Sequence, residues 1–195
     1  MPSIIFFDVG GVLLTNGWDH GERARAAQNF SLDHGELELR HAPAARALEC
    51  GDLSLDQYLD QVVFHQPRSF SREQFRTFME SCSQPLPESL ALLPELAASG
   101  IRLATLNNEG CELNQYRIAR FQLDRYFSAF CCSCYLGARK PEPEIFQRAL
   151  GILHARPQEC AFVDDREENL AAPRSLGFTC YLFRSAAQLR HDLQI

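Results

Sequence analysis

The stretch Ile4-Ile5-Phe6-Phe7-Asp8-Val9-Gly10-Gly11 decides the fold. Its four leading apolar residues form a short run typical of a buried strand. Asp8 follows where that strand is expected to end, and Gly10-Gly11 breaks it. An acidic side chain at the carboxyl end of a parallel strand lies in the crevice where open α/β sheets bind their ligands. Taken alone this indication is weak, because an aspartate that opens a turn is common.

Three later segments complete the pattern. One strand ends in Thr105-Leu106-Asn107-Asn108, a Lys140-Pro141 step follows a further strand and loop, and another strand ends in Val163-Asp164-Asp165. Together with the first stretch, these segments predict one chemistry. Asp8 would attack phosphorus, or an activated carbon, and form a covalent intermediate.

The other polar residues have roles in that chemistry. Asp8 and the Asp164-Asp165 pair would hold a hard cation through oxygen ligands, with Mg²⁺ as the natural candidate. Lys140 would supply positive charge to Asp8 and to the transferring group. Asn107 or Thr105 would donate a hydrogen bond to a phosphoryl oxygen. Both lie on the same side of the strand, so only one should reach the phosphate, and Asn107 is preferred because it is nearer the strand end.

These segments resemble the four sequence motifs of the haloacid dehalogenase (HAD) superfamily of aspartate-nucleophile hydrolases. The matching stretches are Asp8-Val9-Gly10-Gly11-Val12, Thr105-Leu106-Asn107-Asn108, Lys140-Pro141-Glu142-Pro143-Glu144-Ile145-Phe146, and Phe162-Val163-Asp164-Asp165 with Asn169 and Gly177. The resemblance spans nearly the whole chain in the right order. It implies an α/β fold, a three-layer sandwich with a parallel Rossmann-like sheet, and a helical-bundle cap inserted after the first motif.

The resemblance also implies a set of site residues. Asp8, Asn107 and Lys140 would be catalytic, and Asn107, Asn108 and Lys140 would bind the phosphate. The metal would be held by Asp8, the backbone carbonyl of Gly10 and Asp165, with Asp164 acting through water or a hydrogen bond. The implied reaction is Mg²⁺-dependent hydrolysis of a small phosphorylated metabolite through an aspartyl-phosphate.

Two positions depart from the family pattern. Most phosphatases of the superfamily carry a second aspartate two residues after the nucleophile, which protonates the leaving oxygen and then activates water. Gly10 stands at that position. Asn107 stands where the family has serine or threonine, although its amide can still donate. We therefore expect slow turnover of alkyl phosphates, since lost general acid–base help costs about 10²–10⁴-fold.

Two alternatives stay open. One is a haloacid-dehalogenase-type hydrolase, because a halide leaves without a proton and this would suit Gly10. The other is a degenerate member that binds a phosphorylated ligand without catalysis. A surrogate acid is also conceivable at Glu109 or Asp19, but we expect Glu109 to be solvated or to lie at a helix N-terminus.

Composition narrows the class of protein. The chain has 195 residues, and 46% hydrophobic and 23% charged content is ordinary for one globular core with an insertion. A net charge of −6 argues against a nucleic-acid partner. No apolar run approaches the roughly 20 residues of a membrane span, and Met1-Pro2-Ser3 has no features of a signal peptide. We expect a cytoplasmic monomer or homodimer, with its eight cysteines reduced and free of zinc.

Strands and helices alternate through most of the chain, which predicts a parallel sheet. The predicted strands are Ser3–Phe7, Ile101–Leu106, Ala129–Cys134, Cys160–Val163 and Thr179–Phe183. The predicted helices between them are Glu88–Ser99, Gly110–Arg120, Pro143–Leu150 and Glu167–Leu176. This α/β core would comprise residues 1–15 and 87–195.

Residues 16–86 have a helical pattern instead and would form the cap. The candidate helices are Glu22–Phe30, Glu36–His41, Ala44–Cys50, Leu55–Phe64 and Arg72–Glu80. Ser54 with Gln57, and Ser71 with Gln74, predict capping boxes. Trp18, at the hinge into this segment, would line the substrate pocket or pack cap against core. The six histidines show no metal-binding spacing and are expected to be structural or exposed.

Overall fold

The computed structural model describes residues 2–195 and contains one five-stranded sheet. The strands are β1 (Ile4–Phe7), β2 (Arg102–Asn107), β3 (Ala129–Cys132), β4 (Cys160–Asp164) and β5 (Thr179–Leu182). All neighbours are parallel, in the order β3-β2-β1-β4-β5. The strand order reverses at β1, so the carboxyl end of β1 lies at the crevice between β2 and β4.

Eleven α-helices accompany the sheet in the described part of the chain. They are α1 (His20–Asn29), α2 (His34–Glu49), α3 (Leu55–Val62), α4 (Arg72–Ser81), α5 (Pro87–Leu90), α6 (Leu92–Ala98), α7 (Cys111–Arg120), α8 (Ser133–Leu136), α9 (Pro143–Leu153), α10 (Ala171–Leu176) and α11 (Ala186–Leu193).

The alternation of side chains along β1 divides the core into two apolar layers. Ile5 and Phe7 point into one cluster, with residues of α6 and α11. Ile4 and Phe6 point into the other, with residues of α9 and α10. Successive side chains of a strand lie on opposite faces, so a strand covered on both faces reads as a continuous apolar run. The parallel three-layer α/β architecture expected from the sequence is thereby confirmed.

Helices α1 to α4 form a helical segment, residues 16–86, with an apolar cluster of its own. Tyr58, Phe75 and Met79 are its large buried side chains, and the Phe70 and Phe75 rings stack with centroids 5.9 Å apart. Both predicted capping boxes, at Ser54 and Ser71, are confirmed. The exact division into domains at residues 15/16 and 86/87 stays a prediction.

Several predicted helix boundaries were wrong, and three of these helical stretches contain a proline, the third of which is Pro173. The two helices predicted at 36–41 and 44–50 are one helix, α2, with Pro43 inside it. Proline leaves the carbonyl four residues earlier without its helical donor. For Pro43 this is Leu39, which is 76% exposed and open to water. The helix predicted at 88–99 instead divides into α5 and α6, and Pro94 removes the donor for Leu90.

The other differences are local. The stretch predicted as one helix at 167–176 begins with a 3₁₀ turn, and Pro173 removes a donor within it. The strand predicted to reach Cys134 ends at Cys132, where α8 begins. Helix α11 was missed, although Ser185 caps it by accepting the backbone N–H of Gln188. Across residues 2–195, no helix combines the length and apolar character that crossing a membrane requires.

Candidate active site

Asp8 is held at the carboxyl end of β1 by the sheet and by the turn that follows. Its backbone N–H donates to the carbonyl of Val163 on β4 at 2.9 Å, and its Oδ1 accepts the N–H of Val9 at 2.8 Å. Gly11 has φ +74°, and a Cβ there would lie 2.3 Å from Oδ2 of Asp165. Only glycine, at this positive φ and without a Cβ, allows the turn to pass this close to the carboxylate of Asp165.

Lys140 lies between two carboxylates and is 3% exposed. Its Nζ is 2.9 Å from Oδ1 of Asp8 and 2.6 Å from Oδ2 of Asp164. The amide of Asn108 binds both backbone groups of Lys140: Oδ1 accepts its N–H at 2.9 Å, and Nδ2 donates to its carbonyl at 3.0 Å. Asn108 therefore positions Lys140, and its proposed contact with phosphate stays a prediction.

The aspartate pair at the end of β4 divides into a bonded and an open carboxylate. Besides Lys140, Asp164 accepts from Nδ2 of Asn169 at 3.0 and 3.1 Å and from the N–H of Arg166 at 2.9 Å. Asp165 differs, since its buried Oδ1 has no hydrogen-bond partner within residues 2–195. Asp8, Asp164 and Asp165 can each direct an oxygen to a common point, with these atoms within 4.8 Å of one another.

The electrostatics of this cluster favour a bound cation. Burial raises the pKa of Asp8 to about 6, while Lys140 lowers it and Asp164 raises it. Burial and the neighbouring Asp164 likewise raise the pKa of Asp165. Burial would lower the pKa of Lys140, yet the Asp8 and Asp164 carboxylates together raise it. Three hard oxygen donors, one of them unpartnered, fit Mg²⁺ better than a soft metal.

The predicted phosphate ligand Asn107 is not among the described residues that line the cavity in front of the strand ends. It is buried, and its Nδ2 donates to Oδ1 of Asn114 at 3.2 Å, while its Oδ1 is unpartnered within the described residues. The hydroxyl of Thr105 is likewise buried without a partner there. The role of Asn107 at the phosphate stays a prediction.

A cavity of about 470 Å³ opens in front of the strand ends. Its sheet side comprises Asp8, Gly10, Asn108, Glu109, Arg117, Lys140, Arg166 and Asn169. Its other side, together with the linker from β1, comprises Asn16, Gly17, Trp18, Asp19, His20, Arg23, His41, Ala45, Leu48 and Glu49. The site is therefore shared between the sheet and the helical segment.

The helical side of the cavity is internally bonded. Arg23 donates to both oxygens of Glu38, at 2.6 and 3.0 Å, and to the carbonyl of Trp18 at 2.7 Å. The hydroxyl of Tyr58 accepts from Nε1 of Trp18 and lies 2.8 Å from Nδ1 of His41. Trp18 lines the cavity, and its ring packs on Phe75 of the same helical segment. Its packing of cap against core stays a prediction.

Burial lowers the pKa of His41 to about 4, with a further lowering by Arg23, so its ring is neutral at pH 7. The hydrogen bond from Arg23 holds the pKa of Glu38 at about 2. One candidate ligand atom from each of His20, His34 and Glu38 lies within 4.8 Å of the other two, contrary to the expected lack of metal spacing among the histidines. We assign no ion there, because Arg23 already places a full positive charge on Glu38.

Glu109 and Arg117 form a buried ion pair that the sequence did not predict. Glu109 directly precedes the N-cap of α7, in agreement with the expected helix N-terminus, but at 9% exposure it is buried rather than solvated. Its Oε2 lies 3.1 Å from NH1 of Arg117. Arg117 also donates to Ser83 at 3.0 Å and to the carbonyl of Thr15 at 3.1 Å. The sequence did contain a signal that Arg117 is buried, because it lies four residues after Leu113, on the same face of the predicted helix.

Arg139 pairs with Glu49 of the helical segment at 2.6 Å, and Arg46 of that segment pairs with Glu142. These pairs connect the segment to the loop that carries Lys140. All eight cysteines are free thiols, and the Sγ atoms of Cys132 and Cys134 lie 3.4 Å apart. The reduced, zinc-free state stays a prediction.

The sheet topology and the acidic cluster define an α/β protein with a charged site at the carboxyl ends of its strands. Comparison with known proteins gives its family and shows that it is a hydrolase. The model of haloacid dehalogenase-like hydrolases matches residues 2–177. The chain therefore belongs to the HAD-like hydrolase family, as the sequence motifs indicated.

Named relatives are similar to this chain in sequence, and a solved structure is similar to it in fold. Flavin mononucleotide hydrolase 1 of Arabidopsis thaliana is 30% identical over 157 residues, 80% of this chain and 63% of the relative. D-ribitol-5-phosphate phosphatase of Bacteroides thetaiotaomicron is 28% identical, over 100% of this chain and 98% of the relative. A HAD family enzyme of the latter organism, solved with magnesium and inorganic phosphate, has a TM-score of 0.81 at 21% identity, covering 94% of this chain and 95% of that one.

The comparisons cover different shares of the proteins that this chain matches. The chain spans less than two thirds of the first relatives it matches, 63% of the flavin mononucleotide hydrolase and 37% of mouse bifunctional epoxide hydrolase 2. The structural likeness, at 21% identity, supports the fold.

Proposed function

We propose that the protein is an Mg²⁺-dependent phosphatase that hydrolyses a small phosphorylated metabolite through an aspartyl-phosphate on Asp8. The observation that carries this proposal is the buried ammonium group of Lys140, 2.9 Å from Asp8 and 2.6 Å from Asp164, beside the open carboxylate of Asp165. Family membership and the phosphatase names among the relatives support it.

The bonding of Asp8 suits a nucleophile. Within the described residues, its bonds to Val9 and Lys140 both go to Oδ1, which leaves Oδ2 for attack on phosphorus. The Lys140 charge keeps Asp8 ionised despite its burial and attracts the phosphoryl oxygens, where charge develops in the reaction. Asn108 holds Lys140 in this position through both of its backbone groups.

Asp8, Asp165 and the Gly10 carbonyl would hold the Mg²⁺, with Asp164 oriented by Asn169 and by the Arg166 N–H. Bound there, Mg²⁺ supplies positive charge that stabilises the ionised carboxylates and the substrate phosphate.

We propose that the helical segment acts as a cap that excludes water and selects the substrate. Its residues supply one side of the cavity. A volume of about 470 Å³ is within the range for small-metabolite sites. The relatives indicate flavin mononucleotide and sugar-alcohol phosphates as first candidates.

The test is a screen of the purified protein against phosphorylated metabolites, including these two classes and a 2-haloacid, with Mg²⁺ or with EDTA. We expect phosphate release with Mg²⁺ and loss of that release with EDTA. Magnesium binding should also be measurable by calorimetry without substrate. Halide release that survives EDTA would instead indicate a dehalogenase, and ligand binding without turnover would indicate a degenerate member.

A further inference from the structure

Hydrolysis of an alkyl phosphate requires a proton for the leaving oxygen, and the cavity offers few groups to deliver it. Among the described residues, four carboxyl side chains line it: Asp8, Asp19, Glu49 and Glu109. Asp8 is the proposed nucleophile. Asp19 accepts a backbone N–H and caps α1. Glu49 is engaged with Arg139 at 2.6 Å. Glu109 also has an arginine partner, Arg117, but apart from Asp8 it is the only one of these four side chains that is buried.

The two histidines that line the cavity are less suitable. Burial lowers the pKa of His41 to about 4, so at neutral pH its ring is uncharged and is a poor proton donor. Its Nδ1 also lies against the hydroxyl of Tyr58. The His20 side chain is 71% exposed and lies 3.5 Å from Glu38, so it stands in water at the edge of the site.

The position of Glu109 relative to Asp8 is set through Arg117. Gly10, two residues after Asp8, has no side chain, and NH1 of Arg117 lies 3.9 Å from where a Cβ at residue 10 would be. That same nitrogen bonds Oε2 of Glu109 at 3.1 Å. The bond brings the Glu109 carboxyl toward the turn after the nucleophile, on the cavity side of the strand ends.

The surroundings of Glu109 favour reversible protonation. Burial raises its pKa, more than Arg117 lowers it, and the two other charged groups that face it, Glu49 and Asp8, raise it as well. Its Oε1 accepts the N–H of Gly110 at 3.2 Å. A carboxyl group with a raised pKa can be protonated in one step and ionised in the next.

We propose that Glu109 is the general acid and base of the proposed phosphatase reaction. As Oδ2 of Asp8 bonds to phosphorus and the bond to the leaving oxygen breaks, the Glu109 carboxyl transfers its proton to that oxygen, and the alcohol leaves. The resulting carboxylate then takes a proton from water, whose oxygen attacks the aspartyl-phosphate. Phosphate departs, Asp8 is regenerated, and Glu109 is protonated again. The inference rests on the proposed phosphatase function.

The test compares Glu109→Gln with the parent on an alkyl phosphate and on p-nitrophenyl phosphate, whose leaving group needs no proton. Glutamine keeps an acceptor for Arg117. Because kcat/KM reports the first chemical step, we expect it to fall about 10²–10³-fold for the alkyl substrate and less than about tenfold for the aryl one. The aryl substrate should then show a burst of nitrophenol, since the second step also loses its base. Glu88→Gln, an exposed substitution on α5, serves as the matched control.

The pH profile supplies a readout that a structural role would not change. In the parent, kcat/KM for the alkyl phosphate should fall as pH rises through the pKa of Glu109, and this limb should vanish in Glu109→Gln. An equal loss for both substrates, or a persisting limb, would overturn the inference. If Asp8→Asn is inactive while Glu109→Gln equals the parent, this inference alone fails. A parent inactive on both phosphates would overturn the phosphatase proposal and this inference with it.

Discussion

The two sides of the cavity differ in how they are built. On the sheet side, Lys140 lies between Asp8 and Asp164, and these charges are held by strand ends and short loops. On the helical side, Arg23 is neutralised by Glu38, and His41 is uncharged. One side therefore concentrates unbalanced charge, and the other contributes mainly shape and hydrogen-bonding groups.

This difference indicates a division of labour. A buried cluster of three carboxylates and one ammonium group is expensive to assemble, and such clusters occur where charge is needed for chemistry. The hydrogen-bonded network of Trp18, Tyr58 and His41 carries no such charge, and it suits selection of the substrate by shape and hydrogen bonding, the role proposed for the helical segment. The Glu109–Arg117 pair lies where the two sides meet, since Arg117 also donates to the carbonyl of Thr15, which leads into the helical segment.

The largest expected effect tests whether the sheet side performs the chemistry. Asp8→Asn should lower phosphate release by about 10⁴-fold or more, because an amide is neither a nucleophile nor an anionic ligand. Circular dichroism should show an intact fold. Asp33→Asn is the matched control, because Asp33 caps α2 and asparagine caps equally well. Similar rates in Asp8→Asn and the parent would show that another residue attacks phosphorus.

A second effect tests the junction. Arg117→Met leaves Glu109 buried without its partner, and we expect the free energy of unfolding to fall by about 3–5 kcal/mol. Urea unfolding provides the measurement, with the exposed Arg120→Met on the same helix as control. The double variant Arg117→Met/Glu109→Gln should lose less than Arg117→Met, because it leaves no unpaired charge. A double variant that is less stable than the single one would show that the ion pair does not carry the effect.

The same comparison explains what the sequence could predict. The acidic part of the sheet side was predictable because Asp8 and Asp164 lie at strand ends, and parallel strands bring such positions to one edge. Lys140 follows α8 and a loop, and it was recognised from its motif instead. The helical side depends on how helices cross and which side chains then meet. No local pattern indicates that Arg23 will pair with Glu38 across two helices, or that His41 will face Tyr58.

Asn108 and Glu109 show the same limit at closer range. Their positions after β2 were recognised, but the side-chain partners were not. Asn108 binds the backbone of Lys140, 32 residues away, and Glu109 turns inward to Arg117. Tertiary partners of this kind decide whether a polar residue is solvated, and local propensity for turns carries no information about them.

The smallest expected effect tests the uncharged character of the helical side. Because burial lowers the pKa of His41 from 6.5 to about 4, the unfolded chain binds a proton at this residue more readily than the folded one. The stability that neutral His41 provides is fully present above pH 6.5 and is lost as pH falls toward 4. In His41→Gln this loss is absent, so the stability advantage of the parent over the variant should shrink between pH 7 and about pH 4. Urea unfolding at both pH values measures the difference. An advantage that stays constant with pH would mean that His41 binds its proton equally well in the folded and unfolded chains. The helical side would then gain a positive charge as pH falls through the ordinary histidine range, and the description of that side as uncharged would be wrong.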